Sequence, residues 1–230
     1  MDLILDGLRK AILLIVSLDR EVWDIILLSL KVSGSATLIS ILIGIPGGVA
    51  LAFSRFPGRR FIAAMVNTSM GLPPVVVGLF VTIMLWRGGP LAALHLLYTP
   101  SAMVIAQSVI AAPIVAGITM ASMQQLDPKL ILQIRALGAT RLQMLRLLLR
   151  ETRLPLLAAV MAGFGGVISE VGASIMVGGN ILGQTRVLTT ATVMETGKGN
   201  FDTAIALSII LLLLAYSVTL GLTLIQQKRR

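Results

Sequence analysis

The sequence predicts an all-α integral membrane protein, and three observations support that prediction. Mean hydropathy is +0.94, and only 13% of the 230 residues are charged, against about a quarter in soluble domains. Five stretches hold the roughly 20 mostly apolar residues that a spanning helix needs. The cations are concentrated in alternate connections between these stretches. With no cysteine and a single histidine, His95, the sequence excludes a thiol nucleophile, a disulfide framework and a zinc cluster.

The first element is an apolar stretch at 3–18 that is interrupted by Asp6, Arg9 and Lys10. We interpret it as an amphipathic helix at the membrane interface, within an N-terminal segment 1–24 that precedes a single transmembrane domain at 25–230. A sixth span is the alternative. A cleaved signal peptide is disfavoured, because acids occur early and no small-residue cleavage site follows the apolar stretch.

The five predicted spans cover 25–53, 61–86, 100–123, 154–179 and 201–225. Pro46 lies in the first span, between Gly44 and Gly48, and Pro73 and Pro74 interrupt the second span near its middle. Proline removes a backbone donor and clashes with the preceding turn, so we expect both spans to kink against other helices or a wet cavity. The alternative is that proline and glycine are simply common in membrane helices.

Orientation follows from the basic residues in the connections. The connections near 54–60 and 124–153, together with the C-terminus, hold 12 of the 19 Lys and Arg residues, and the other side holds 7. Short basic loops stay cytoplasmic, so we place the C-terminus in the cytoplasm and the N-terminus outside. The net charge of +9 is thereby attributed to topology and not to nucleic-acid binding.

The connection at 124–153 has the pattern of two short helices. Asp127 is suited to cap a helix that starts at Pro128, and Gly138 is suited to end it. Thr140 with Gln143 forms the pattern of a capping box for the second helix. We expect an apolar face to pack on the membrane domain and a basic face to meet the cytoplasm or lipid phosphates; the apolar residues are Leu142, Leu145, Leu148 and Leu149, and the basic ones are Arg141, Arg146 and Arg150. A lipid-facing loop that obeys the charge rule is the alternative.

Glu170 is the one acid deep within a predicted span, where an uncompensated carboxylate costs at least a few kcal/mol. We expect it to pair with a helix end or a cation and to face packed helices, either as a gate or dimer-interface residue or as a packing anchor. Neutral residues are the other pathway candidates, because an anion must also be released. They are Asn67, Thr68, Ser69, Gln107, Ser108, Ser169, Ser174 and Asn180, each of which could equally serve helix–helix hydrogen bonding.

The motif LQIRALGA at 132–139 resembles the EAA-type loop of binding-protein-dependent ABC importer permeases. Leu132 stands where that loop usually has glutamate. Nearly the whole chain from about residue 25 is similar to the molybdate/tungstate branch of the family, and most to tungstate permeases. The motifs concerned are NTSMGLPPVVVG at 67–78, ISEVGA at 168–173, VGGNI at 177–181 and TRVLTT at 185–190.

The resemblance implies a type I ABC importer permease arrangement in the cell membrane, with uptake of a tetrahedral oxyanion, most plausibly tungstate. Because five spans are too few to enclose a path, we expect a homodimer. The implied partners are two ATPase subunits, which hold ATP and Mg, and an extracytoplasmic tungstate-binding protein. This chain, which has no Walker-type loop, would hold no cofactor or metal and catalyse no reaction.

Two sets of residues follow from these expectations. ATPase coupling is assigned to Gln133, Ala136, Leu137, Gly138, Ala139 and Thr140, and the pathway or gate to Asn67, Pro73, Pro74, Ser169, Glu170 and Asn180. Molybdate or sulfate is the alternative substrate within the family. A stand-alone carrier or channel is a further alternative, and a membrane-embedded enzyme lacks convergent acids, histidines or a nucleophile with a base.

Overall fold

The structure, a computed structural model, describes residues 2–17 and 19–227. Helices and no strands make up the regular secondary structure of the described chain, which confirms the all-α prediction. Its helices are α1 (Asp2–Val16), α2 (Arg20–Phe53), α3 (Arg59–Ser69), α4 (Pro74–Leu85), α5 (Pro100–Gln124), α6 (Pro128–Ala136), α7 (Arg141–Glu151), α8 (Arg153–Ile168), α9 (Gly172–Gly178), α10 (Leu188–Gly197) and α11 (Phe201–Gln227), with a 3-10 turn at Ala92–Leu94. The predicted residue Leu18 and the cations at 228–230 lie outside the described residues.

Among the described residues, three helices, α2, α5 and α11, are long and apolar enough to cross a membrane alone. Two bent pairs bring the number of candidate spans to five: α3 with α4, bent by 107°, and α7 with α8, bent by 69°. The second predicted span is therefore interrupted at its Pro73-Pro74 pair, more sharply than a kink. The chain is a multi-pass membrane protein.

The fourth predicted span, 154–179, is wrong as a single helix. Helix α8 ends at Ile168, and α9 begins only at Gly172. At 1.5 Å per residue, the 16 residues of α8 extend about 24 Å, which is less than the roughly 30 Å hydrocarbon core. The hydropathy of 154–179 does not reveal the break between α8 and α9, because the glycines and serines at 163–174 do not lower it enough.

Glycines bring α2 and α5 together at the centre of the fold. A Cβ atom added to Gly44 would lie 2.8 Å from Cβ of Val115, and one added to Gly48 would lie 2.7 Å from Cβ of Thr119. Such contacts require residues without side chains, as the spacing of Gly44 and Gly48 predicts. Pro46, between them, lies within the continuous helix α2.

Helix α1 packs on the beginning of α11. Gly7 lies against Ile205, Ala11 is fully buried, and Nζ of Lys10 lies 2.6 Å from Oδ2 of Asp202. The opposite side of α1 exposes Ile4, Leu5, Leu8, Ile12, Leu13 and Val16. With 15 residues, α1 is not among the candidate spans of the described chain. Its position at the membrane interface stays a prediction.

Candidate functional site

The connection between α5 and α8 is a helical hairpin formed by α6 and α7. We call residues 127–151 the coupling hairpin after the role that the sequence predicts for it, and that role stays a prediction. A carboxylate oxygen of Asp127 accepts a hydrogen bond from the backbone N–H of Lys129 at 2.8 Å, and Pro128 occupies the first turn of α6. This satisfies one of the backbone donors that a helix start leaves free. The predicted start of α6 is thus reproduced.

The turn between the two helices is a Schellman motif. The N–H of Gly138 donates to the carbonyl of Arg135 at 3.0 Å, and the N–H of Ala139 donates to the carbonyl of Ile134 at 3.3 Å. Gly138 has φ +75°, and a Cβ atom added to it would meet no atom within 4 Å. Glycine is therefore required here by the backbone conformation and not by lack of space.

A capping box begins α7. The N–H of Gln143 donates to Oγ1 of Thr140 at 3.3 Å, and Oε1 of Gln143 accepts from the N–H of Thr140 at 2.8 Å. Both helix starts and the turn are therefore closed by groups of the hairpin itself. The hairpin is internally braced.

A small core anchors the coupling hairpin to the membrane helices. Ile134 of α6 and Leu148 of α7 are buried with Met123 of α5. Val49 of α2 and Leu156 of α8 pack against the same cluster. The hairpin thus packs directly on the ends of α2, α5 and α8.

The end of the coupling hairpin that carries the turn is exposed and partly apolar. Leu137 is 86% exposed and Leu132 64% exposed. The six residues assigned to ATPase coupling lie together at this end, and all are exposed except Ala139, which is partly buried: Gln133, Ala136, Leu137, Gly138, Ala139 and Thr140. Exposed apolar side chains rimmed by polar ones are typical of an interaction surface.

One predicted contact of α7 is wrong. Leu148 is buried and Leu145 and Leu149 are half-buried, as expected, but Leu142 is 68% exposed. Residue 147 is also a leucine, so the apolar residues of α7 cover more than one face of the helix. The face that turns inward is set by Leu148 packing on Met123, and this leaves Leu142 outside.

The second group of candidate residues surrounds the break between α8 and α9. Glu170 is 9% exposed, and its Oε1 accepts a hydrogen bond from the N–H of Ala173 in the first turn of α9 at 2.9 Å. Its main-chain carbonyl accepts from Oγ1 of Thr189 at 3.0 Å. The carboxylate therefore lies at the positive end of a short helix, as the sequence suggested, among packed helices. A role as gate stays a prediction.

The break between α3 and α4 lies next to the break at Glu170. A Cβ atom added to Gly172 would lie 2.6 Å from Cγ2 of Val75, the residue after Pro74. Further along the same contact, a Cβ atom on Gly78 would lie 2.6 Å from Cα of Ala173. The structure thus brings Pro73, Pro74 and Glu170 into one region where α4 crosses α9.

The neutral pathway candidates divide into exposed and packed residues. Asn67 on α3 and Ser169 are exposed, and the Ser169 hydroxyl donates to the carbonyl of Gly165 at 2.8 Å. Gln107 and Ser174 are buried, and Nε2 of Gln107 donates to Oγ of Ser174 at 3.2 Å, which joins α5 to α9. Ser108 donates to the carbonyl of Val104 within its own helix. Asn67 and Ser169 are therefore exposed in the single protomer, whereas Gln107, Ser174 and Ser108 are buried between helices. A role of any of them in the pathway stays a prediction.

Asn180 lies apart from these residues, beyond the far end of α9. It has φ +53°, and its carbonyl accepts from a guanidinium nitrogen of Arg186 at 3.4 Å. The loop here is organised by Thr185, which is fully buried, donates to the carbonyl of Gly178 at 2.6 Å and accepts from the N–H of Ile181 at 2.9 Å. The predicted gate set is therefore not one constellation, because α9 separates Asn180 from Glu170.

The sequence did not single out three residues whose hydrogen bonds organise this region: Thr185, Thr189 and Ser29. Thr185 and Thr189 lie in the TRVLTT motif, which is the signal that could have found them. Ser29, on α2, accepts a hydrogen bond from the N–H of Leu188 at 2.9 Å and so caps α10 from a distant helix. No local pattern marks that contact. Within residues 2–17 and 19–227, no three His, Cys, Asp or Glu side chains are grouped so as to hold a metal ion.

Interrupted membrane helices with an anchored, exposed hairpin define a membrane permease domain, and solved structures share this architecture. The methionine ABC transporter MetNI, in an inward-facing form, superposes with a TM-score of 0.72 at 24% identity, over 94% of this chain and 97% of that one. A bacterial ABC transporter that imports alginate superposes with a TM-score of 0.72 at 19% identity, over 89% of this chain and 78% of that one. The fold is that of type I ABC transporter permeases.

The family is shown by sequence. Residues 44–230 match the model of the binding-protein-dependent transport system inner membrane component, and the chain belongs to that family. The tungstate uptake system permease protein TupB of Peptoclostridium acidaminophilum is 39% identical over 99% of this chain and 100% of its own length. TupB of Campylobacter jejuni is 35% identical over 94% and 90%. The molybdenum permease ModB of Escherichia coli is more distant, at 29% over 84% and 91%.

Proposed function

We propose that this chain is the tungstate permease of an ATP-driven importer and that two copies form the membrane path. End-to-end similarity to TupB is the observation that supports tungstate most directly. Molybdate and sulfate remain the competing substrates, since relatives named for them match at 26–29% identity. The N-terminus would lie outside and the C-terminus in the cytoplasm.

In the proposed complex, two ATPase subunits bind the exposed ends of the two coupling hairpins and hold ATP with Mg, and an extracytoplasmic binding protein delivers the oxyanion. The hairpin suits this role because its turn and helix starts are closed internally, while Ile134 and Leu148 anchor it to α5. Such a unit moves without unfolding. Closure of the ATPases would thereby shift the inner ends of α2, α5 and α8.

The test is accumulation of labelled tungstate in cells that lack the chain and are complemented with variants. Deletion should abolish uptake that resists excess molybdate and sulfate. Gly138→Trp should do the same while the protein remains in the membrane, because it strains the hairpin turn and fills the coupling surface. Gly58→Trp is the matched control: Gly58 has φ +85° and equally open surroundings, but it lies outside the hairpin.

Each outcome decides a separate point. Full uptake in the deletion strain would remove the tungstate assignment, and competition by molybdate or sulfate would transfer it to that anion. Full uptake with Gly138→Trp, or equal losses with Gly58→Trp, would contradict coupling through the hairpin. Uptake in vesicles that contain only this chain would favour a stand-alone carrier.

Alternating access is proposed to use the contact between α4 and α9. The pair Val75→Cys and Gly172→Cys places two thiols where these helices touch, in a chain that has no other cysteine. A disulfide between them should stop ATP-driven uptake, and reduction should restore it. Undiminished uptake with the crosslink formed would show that these helices do not separate during transport.

A further inference from the structure

A groove runs along α7 to the start of α8, and the two helices meet at 69°. It has a volume of about 710 Å³ and is lined by Leu142, Leu145, Leu149, Arg146, Arg150 and Arg153. The leucines and the arginines each recur at intervals of three or four residues. Helical geometry therefore places them in two adjacent stripes, one apolar and one basic.

The chemistry of the groove is unusual for a surface facing water. Leu142 is 68% exposed, and no compensating protein contact covers it among the described residues. No carboxylate lines the groove, and Glu151, the one acid of α7, is exposed outside it. An apolar stripe beside a row of guanidinium groups matches a molecule that has an acyl chain and a phosphate.

We infer that this groove, hereafter the elbow groove, binds an anionic phospholipid. Arg146 and Arg150 would hold the headgroup phosphate through paired N–H donors, and the acyl chain would lie along Leu142, Leu145 and Leu149. Basic pockets beside membrane helices are suited to such headgroups. The inference rests on the proposed function only for its topology, which assigns the lipid to the cytoplasmic leaflet.

The position of the elbow groove gives the lipid a consequence for coupling. Arg146 and Arg150 also border a second depression beside Gly138 and Gln143, at the turn of the coupling hairpin. A phosphate held between them would fix α7 relative to the membrane surface. The bound lipid would then restrict the angle between α7 and α8, in addition to the packing of Leu148 on Met123.

The turn at 54–60 provides an internal comparison. It also carries three arginines, and it lies on the same side of the proposed topology. Nε of Arg59, however, donates to the carbonyl of Leu51 at 2.6 Å, so this arginine caps α2. No stripe of leucines accompanies the turn. It should attract anionic lipid only through diffuse charge.

The experiment uses the absence of cysteine in the chain. Leu147→Cys, next to the elbow groove but not lining it, carries a fluorophore, and Phe56→Cys carries the same fluorophore in the comparison turn. The full-length protein is placed in phosphatidylcholine vesicles that contain equal small fractions of dibrominated phosphatidylglycerol or dibrominated phosphatidylcholine. Quenching then reports which lipid is enriched beside each label.

We expect phosphatidylglycerol to be enriched about tenfold or more over phosphatidylcholine at Leu147→Cys, and much less at Phe56→Cys. Arg150→Gln and Arg146→Gln should each lower the enrichment roughly fivefold. Arg141→Gln, on the same helix but outside the elbow groove, should change it by less than about twofold.

Equal quenching by the two lipids, or equal enrichment at both labels, would overturn the inference. Loss of quenching on addition of the ATPase subunit would assign the groove to that protein and would also overturn it. The vesicles need neither ATP nor tungstate. A negative lipid result therefore leaves the uptake experiment unaffected, and a negative uptake result leaves the lipid measurement interpretable.

Discussion

The junction between α6 and α7 and the junction between α8 and α9 interrupt the helical chain in opposite ways. At the first, every closing hydrogen bond joins residues near in sequence: Gly138 to Arg135, Ala139 to Ile134, and Thr140 to Gln143. The first junction is therefore defined by its own residues.

The second junction depends mostly on distant residues. Glu170 caps α9 locally through Ala173, but Thr189 holds the carbonyl of Glu170, and Gln107 holds Ser174. Three other helices, α4, α5 and α10, thus determine where α9 lies. The comparison teaches that the turn of the coupling hairpin is closed by its own hydrogen bonds, whereas α9 is held by contacts with its neighbours.

The largest effect is expected where α9 meets α4. In Gly78→Leu the new Cβ atom would lie 2.6 Å from the backbone Cα of Ala173, which no rotamer change can relieve. We expect a loss of about 3 kcal/mol or more in stability, at the upper end for overpacked sites. Thermal unfolding of the purified protein in detergent measures it.

Gly165→Leu is the matched control, because Gly165 is also helical and an added Cβ would meet no atom within 4 Å. Its unfolding temperature should stay close to that of the wild type. If Gly78→Leu were as stable as the wild type, contact with α4 would not fix the position of α9. The junction between α8 and α9 would then not depend on distant residues in this way.

The sequence allowed the local junction to be predicted in detail. Asp127, Gly138, Thr140 and Gln143 act over two or three residues, so their pattern specifies both helix starts and the turn without knowledge of the fold. The exposure of the residues assigned to ATPase coupling follows from the same pattern, because a turn closed by its own backbone hydrogen bonds leaves its side chains facing outward. The Gly44 and Gly48 contact was also predictable, because spacing along one helix is local.

The remote junction could not be predicted in the same way. The predicted span 154–179 passed through the break, where the contacts involve residues distant in sequence: the carbonyl of Glu170 accepts from Thr189, and Gly172 lies against Val75. Asn180 was grouped with Glu170 although α9 separates them. Leu142 was misplaced because the leucines of α7 do not define one face. In each case a tertiary contact, absent from the local sequence, decides the arrangement.

An intermediate effect is expected from Glu170. Glu170→Leu leaves the buried N–H of Ala173 without its acceptor, which costs about 1–3 kcal/mol. Glu170→Gln retains an amide oxygen at the position of Oε1 and should cost less than about 1 kcal/mol. Unfolding temperatures of the two variants should therefore differ. If Glu170→Gln were as damaging as Glu170→Leu, the negative charge itself would be needed, and capping would not explain this residue.

The smallest effect is expected at a third junction, between α10 and α11, which is closed locally and exposed. Oε2 of Glu195 accepts from Nδ2 of Asn200 at 2.8 Å, and Oε1 accepts from Nζ of Lys198 at 2.9 Å. The hydrogen bond from Asn200, followed by that from Lys198, lowers the pKa of the Glu195 carboxyl below its ordinary value of 4.5. A lowered folded-state pKa means that the carboxylate contributes stability above the unfolded pKa, and that this contribution is lost as pH falls through the folded pKa.

Glu195→Gln should therefore reduce stability at neutral pH by less than about 1 kcal/mol, because Lys198 is 53% exposed and water screens its charge. The difference from the wild type should vanish as pH falls well below 4.5, where the wild-type carboxyl is itself protonated. Unfolding temperatures of both proteins across this pH range measure it. If the unfolding temperatures still differed in acid, the neutral glutamic acid and glutamine side chains would differ in how they pack, and the charge of Glu195 would not explain its contribution to this turn. Since both hydrogen-bonded partners of the Glu195 carboxylate, Lys198 and Asn200, lie within five residues of it, either result should leave α9 unaffected.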